Sequence, residues 1–262
     1  MRRFTPFHVA AALLPAFAPT SRAASAPPLE VFESVDVVDA GRWRSDIALP
    51  TARRPGDRDA DRPLSMPTVL RVGIGKSIEL REQGDRPPEP AAFGSAADSM
   101  RRLHGFTDVS FGAKWRVRGG DAGWLPGVAW LANVETGNGA PAFRGRDFRP
   151  SLRATAEWTL PRDMTLGLMP GVFRDRDDRG KRYAAAVMAL TLGKAWTPRV
   201  HTFVELAGER VVQAQRGAAF VNVDTGVAFL AAGSLQLAAV VSCGVMNAPR
   251  QASGGLSVST HF

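Results

Sequence analysis

The sequence predicts an all-β protein, a transmembrane antiparallel up-and-down β-barrel of the outer-membrane type with about 12 strands. Two observations predict it. Segments of two-residue alternation run to about nine to eleven residues, the length that a tilted strand needs to cross a bilayer. The connections between them alternate long and short from end to end.

Taken in order, Met1–Ala23 reads as a secretory signal peptide. Arg2 and Arg3 form its basic start, Phe7–Ala18 its apolar core, and Ser21 and Ala23 suit the small-residue cleavage positions. Residues 24–40 have little periodicity and are expected to form an N-terminal periplasmic segment outside the fold. Residues 41–262 are expected to form the barrel.

Gly41–Leu49 sets Trp43, Ile47 and Leu49 against Arg42, Arg44 and Asp46. Side chains on a strand change face at every residue, so alternation of this kind gives one apolar and one polar face. Pro50–Pro63 is a polar loop. Thr68–Gly73, carrying Arg71, and Ser77–Glu82, carrying Glu79 and Arg81, flank a short turn. Gln83–Leu103 is a second long loop.

Phe106–Glu135 is a long hairpin. Val109, Phe111, Ala113, Trp115 and Val117 oppose Asp108, Ser110, Gly112, Lys114 and Arg116 on its first arm. Its second arm sets Val128, Trp130, Ala132 and Val134 against Ala129, Asn133 and Glu135. Lys114 and Glu135 share the polar face and are expected to be neighbours across the pair.

Ser151–Leu160 alternates most cleanly, with Leu152, Ala154, Ala156, Trp158 and Leu160 opposite Arg153, Thr155, Glu157 and Thr159. Met164–Arg174 follows a tight turn. Its Pro170 falls mid-strand on the apolar face, where a missing donor predicts a bulge. Tyr183–Trp196 and Val200–Arg210 follow, the second with His201, Glu205 and Glu209 on its polar face. Phe220–Leu230, with Asp224, and Leu235–Gly244 form another hairpin, and Gly255–Phe262 closes the chain. Short turns on one rim and long loops on the other place both termini on the short-turn, periplasmic side.

The polar faces collect Arg42, Arg44, Asp46, Arg71, Glu79, Arg81, Asp108, Lys114, Arg116, Glu135, Arg153, Glu157, Glu205, Glu209 and Asp224. In a closed barrel these line the lumen. Two readings follow: a polar channel for small solutes, or a salt-bridged plug that conducts little.

Composition narrows the alternatives. The formal net charge is +8, and loss of Arg2, Arg3 and Arg22 would leave +5. No cluster interleaves basic and aromatic residues as a nucleic-acid platform would, so no nucleic-acid partner is expected. One cysteine, Cys243, allows no internal disulfide. The four histidines (His8, His104, His201, His261) give no metal site. His201 with Glu205 is a dyad on paper only, on the wrong face for an outer-wall lipid hydrolase. No enzyme and no cofactor is expected, and a surface-adhesion barrel that binds through its long loops stays open.

Two resemblances add to this reading. Leu256, Val258, Thr260 and Phe262 step by twos to the end and resemble an outer-membrane targeting signal. That resemblance implies the barrel-assembly machinery as a partner during biogenesis, with the bilayer as the resident one. Phe106–Trp115, Pro126-Gly127-Val128, Leu152-Arg153, Glu157-Trp158, Glu33-Ser34 and Asp39-Ala40-Gly41 resemble a family labelled "MetA-pathway of phenol degradation". Its bacterial members are often called transporters. The resemblance spans roughly Glu33 to Phe262, lacks a Thr-Asp-Arg-Pro segment upstream of Glu33, and implies passive uptake or export of small solutes, aromatic or hydrophobic ones among them.

Overall fold

A computed structural model describes residues 31–49, 66–86, 108–120, 124–138, 148–176, 182–211, 219–246 and 252–262. Residues 1–23, read above as a signal peptide, lie outside the described residues with His8 and His104, as does most of each long loop.

Twelve strands form: β1 Trp43–Leu49, β2 Met66–Ile74, β3 Ile78–Arg86, β4 Ser110–Arg118, β5 Gly127–Glu135, β6 Arg149–Leu160, β7 Met164–Arg176, β8 Arg182–Thr197, β9 Val200–Val211, β10 Ala219–Ala232, β11 Leu235–Met246 and β12 Ala252–His261. Each pairs antiparallel with its sequence neighbours, and β12 returns to β1, so the sheet is a closed barrel. The seam is sealed at the short-turn rim. There Trp43 N–H donates to the Phe262 carbonyl at 3.2 Å, and Phe262 N–H donates to the Trp43 carbonyl at 2.9 Å. Closure leaves no open sheet edge, which hydrocarbon would not tolerate.

The alternation sorts the faces as expected. Phe111, Trp115, Trp130, Leu152, Val172, Met188, Val204, Leu206, Phe229, Val241 and Leu256 are exposed on the outer wall. Toward the short-turn rim, exposed Trp43, Trp115, Trp124 and Trp196, with Phe262, supply the aromatic girdle of a membrane barrel. Leu256 and Phe262 are exposed, whereas the intervening Ser257 and Ser259 are buried.

Two register expectations are corrected. Pro170 lies in a continuous β7–β8 register opposite Met188 and makes no bulge. Instead the β6–β7 pairing is interrupted at Ala154 and Thr155 and resumes unshifted from Arg153↔Gly171 to Ala156↔Leu168. Two missing pairs are tolerated because the pairs on either side hold the register. The irregularities among the described residues fall at Arg116/Arg118, Ala195/Thr197, Val221/Asn222 and Leu230/Ala232. Lys114, in turn, lies opposite Leu131 and Glu79, not Glu135, which pairs with Ser110 and Arg149. Sharing a face is not sharing a rung: the length of the turn after Arg118 sets which rungs meet.

Val204→Arg, on the outer wall in mid-strand, is expected to cost about 2–4 kcal/mol in urea unfolding from lipid vesicles. Trp196→Arg, at the rim, is expected to cost about 0–1 kcal/mol. Equal costs at the two depths would contradict a bilayer around this belt.

Candidate functional site

The inward faces of the strands bury charge. Arg44, Asp46, Arg71, Glu79, Arg81, Lys114, Glu205 and Asp224 are all buried. Charges out of water are tolerated only when paired and hydrogen-bonded. The wall supplies part of this pairing. Arg44 Nε donates to Asp46 Oδ1 at 2.7 Å, Arg71 Nε stands 2.9 Å from Asp46 Oδ2, and Arg71 Nη1 stands 3.8 Å from Glu79.

The rest comes from the chain that precedes β1. The sequence places residues 24–40 outside the fold; the structure corrects this for Val31–Ala40, which cross the lumen from β9 to β2. Phe32, Ser34, Val35, Val37 and Val38 are buried there. The segment is irregular, so its backbone N–H groups need partners other than a ladder. Glu205 on β9 accepts from Val31 N–H at 2.9 Å and Phe32 N–H at 2.7 Å. Glu157 on β6 accepts from Val35 N–H, and Glu79 on β3 from Val38 N–H, both at 3.0 Å. Lys114 on β4 donates to the Asp36 carbonyl at 2.6 Å. Each such charge-assisted bond contributes about 1.5–3 kcal/mol.

Glu33 is the segment's one acid at the centre of this array. It accepts from Arg81 Nη2 at 2.7 Å and Arg71 Nη1 at 3.3 Å. Burial pushes its carboxyl up, but Arg71, Arg81 and Lys114 outweigh that and hold it well below the usual range. A lowered pKa means that the contact's contribution is complete above the ordinary glutamate pKa of about 4.3 and is lost only as pH falls through the lower, bound value.

Shape completes the fit. A methyl group at Gly73 would overlap the carbonyls of Val38 and Asp39, and one at Gly167 would overlap the Phe32 ring. Glycine at these two inward positions lets the segment approach the wall. Phe32 then packs with Met169, Ala189 and Ala207 in an apolar cluster.

The remaining predicted positions divide by location. Arg153 and Glu157 are half-buried inside the barrel. Arg116 reaches Asp36 at 3.6 Å and donates to the Lys76 carbonyl at the short-turn rim. Arg42 is exposed at that rim. Asp108 and Glu135 meet Arg149 at 3.0 and 2.6 Å at the opposite rim. The Glu209 side chain lies outside the described residues. Sequence reasoning missed Glu33 and its neighbours. The available signal was glycine at inward strand positions beside an apolar run (Val31, Phe32, Val35, Val37, Val38) too irregular for a strand.

With this geometry in hand, kinship is informative. The family described as "Putative MetA-pathway of phenol degradation" matches residues 36–262. The chain belongs to this family. Among solved structures it is similar to the COG4313 outer membrane channel from Pseudomonas putida F1, with 13% identity, a TM-score of 0.60, and coverage of 89% of this chain and 100% of that one. It is also similar to the KdgM porin in complex with disordered oligogalacturonate, with 8% identity, a TM-score of 0.55, and coverage of 84% and 99%. The NanC porin matches with 8% identity, a TM-score of 0.53, and coverage of 85% and 99%. At such identities the likeness shows the fold. No curated protein matches the chain.

The hydrogen bonds give a direct expectation. Amide exchange of Val31, Phe32, Val35 and Val38 should be protected at neutral pH. Glu205→Ala should speed exchange at Val31 and Phe32 about 10- to 100-fold, the equivalent of one charge-assisted bond. Mass spectrometry of exchanged, refolded protein reads this, and free exchange at these amides in the unsubstituted protein would contradict the placement.

Proposed function

We propose that the protein is an outer-membrane channel for passive uptake or export of small solutes, and that Val31–Ala40 closes it at rest. The observation that carries this reading is how the segment is held. Among the described residues one isolated backbone bridge, Ala40↔Gly73, ties it to the sheet, near its β1 end. The rest is held by side-chain contacts that can be exchanged for contacts with solute or water. The apolar patch of Met169, Ala189 and Ala207 beside Phe32 supports passage of solutes with an aromatic or hydrophobic part.

The same segment favours a second reading, a permanently plugged structural or adhesion barrel. The family and the channel-like relatives favour the first. An enzyme is disfavoured by the proposed dyad itself: both Glu205 oxygens accept from the segment, and His201 Nδ1 is buried without a hydrogen-bond partner. In this proposal an N-terminal signal, cut after Ala23, exports the chain, and the barrel-assembly machinery reads Leu256, Val258, Thr260 and Phe262. The bilayer is then the barrel's resident partner.

Planar-bilayer recordings decide between the two. Deleting residues 31–39 is expected to convert a small or intermittent conductance into a steady porin-like step. A deletion variant that folds, by circular dichroism and heat-shifted gel mobility, yet stays silent would overturn the channel reading.

A further inference from the structure

The lumen is electrically lopsided. On β1–β4 the wall buries Arg44, Arg71, Arg81 and Lys114 against Asp46 and Glu79, while Glu205 and Asp224 face each other across β9 and β10. Glu33 brings the missing negative charge to the basic side. Its two oxygens are taken by two different arginines, one each from β2 and β3.

The two arginines are not equivalent without it. Arg71 stays anchored by Asp46 at 2.9 Å whatever Glu33 does. Arg81 is only 5% exposed, and its Nε and Nη1 have no hydrogen-bond partner among the described residues. Its one hydrogen bond among those of the described residues is the Nη2 contact to Glu33. Arg153 Nε, also buried, has no hydrogen-bond partner among the described residues either. Withdrawing Glu33 would therefore strand a buried guanidinium, an unfavourable state unless another anion replaces the carboxylate. Planar guanidinium donors suit planar carboxylates.

We infer that Arg71 and Arg81, flanked by Lys114 and Arg153, form a carboxylate-binding site in the lumen, that Glu33 is its resting occupant, and that a small carboxylate solute takes its place when the segment moves. This deepens the channel reading and rests on it: opening and the capture of an anionic solute become one exchange, carboxylate for carboxylate. No bond is made or broken, and the charge on the arginines stays compensated throughout.

The test is chemical rescue, read by calorimetric titration of the refolded, full-length barrel in detergent. Glu33→Ala removes the Cγ and the carboxyl group, and acetate restores both. Acetate is expected to bind Glu33→Ala at least about tenfold more tightly than the unsubstituted protein, the equivalent of one charge-assisted hydrogen bond. Glu33→Ala/Arg81→Gln should lose that gain, and acetamide, isosteric but neutral, should bind none of the variants. Should Glu33→Ala fail to fold unaided, its refolding yield in acetate against acetamide makes the same comparison, and equal yields in the two would overturn the site. Acetate binding equal in all variants, or acetamide binding as well as acetate, would overturn the site. Because the titration needs no conduction, a silent barrel that binds acetate refutes the channel reading alone. A conducting barrel that does not bind it refutes this inference alone.

Discussion

Closing the sheet solves one problem and creates another. In hydrocarbon each backbone donor and acceptor must be paired within the protein, and a continuous ladder from β1 round to β12 does this. Yet the same alternation that turns Phe111, Trp130 and Val204 outward turns Arg71, Arg81, Lys114 and Glu205 inward. A narrow barrel cannot leave these charges in bulk water, so they need partners. The wall alone does not supply enough of them. The segment before β1 completes the set, and the rest of the structure follows from that demand.

The complementarity is of two kinds. Glu79, Glu157 and Glu205 accept backbone N–H groups that an irregular segment would otherwise leave unpaired. Arg71 and Arg81 receive the Glu33 carboxylate. The segment thus offers donors where the wall is negative and an acceptor where it is positive. A structure held by such contacts is firm in the resting state and still separable, because every contact is one that a solute or water can replace. Ladder pairing around the wall is a different matter, and nothing in the exchange requires it to change.

What was legible in the sequence follows the range of the physics. A strand's two faces are set residue by residue, so Ser151–Leu160 announces itself, as do the exposed Leu256 and Phe262 with Ser257 buried in step. Short turns are local too, which is why the hairpins could be placed. Rung-by-rung register is less local: Lys114 and Glu135 share a face, but turn length puts Lys114 against Leu131. Pro170 needed no bulge because neighbouring rungs held it. The lumenal segment was invisible for the same reason carried further. It has no period of its own, and Phe32 finds its carboxylate 173 residues away. Its trace lay in glycines such as Gly73 and Gly167, whose missing side chains have no meaning until something is known to pass over them.

The central claim is that this segment lies against the inner wall and limits passage. A methyl at Gly127 would sit 3.0 Å from Val35 Cγ2, which places cysteines at the two positions within reach of a disulfide once exposed Gly120, 2.7 Å away through its nitrogen, shifts to admit the new side chain. The decisive measurement is conductance of Val35→Cys/Gly127→Cys, with Cys243→Ser to remove the native thiol, before and after reduction. The pair is expected to oxidise in the folded barrel, and the locked barrel to pass less current than the same barrel once reduced. Thiols that stay free in the folded protein, or a current indifferent to the lock, would contradict it.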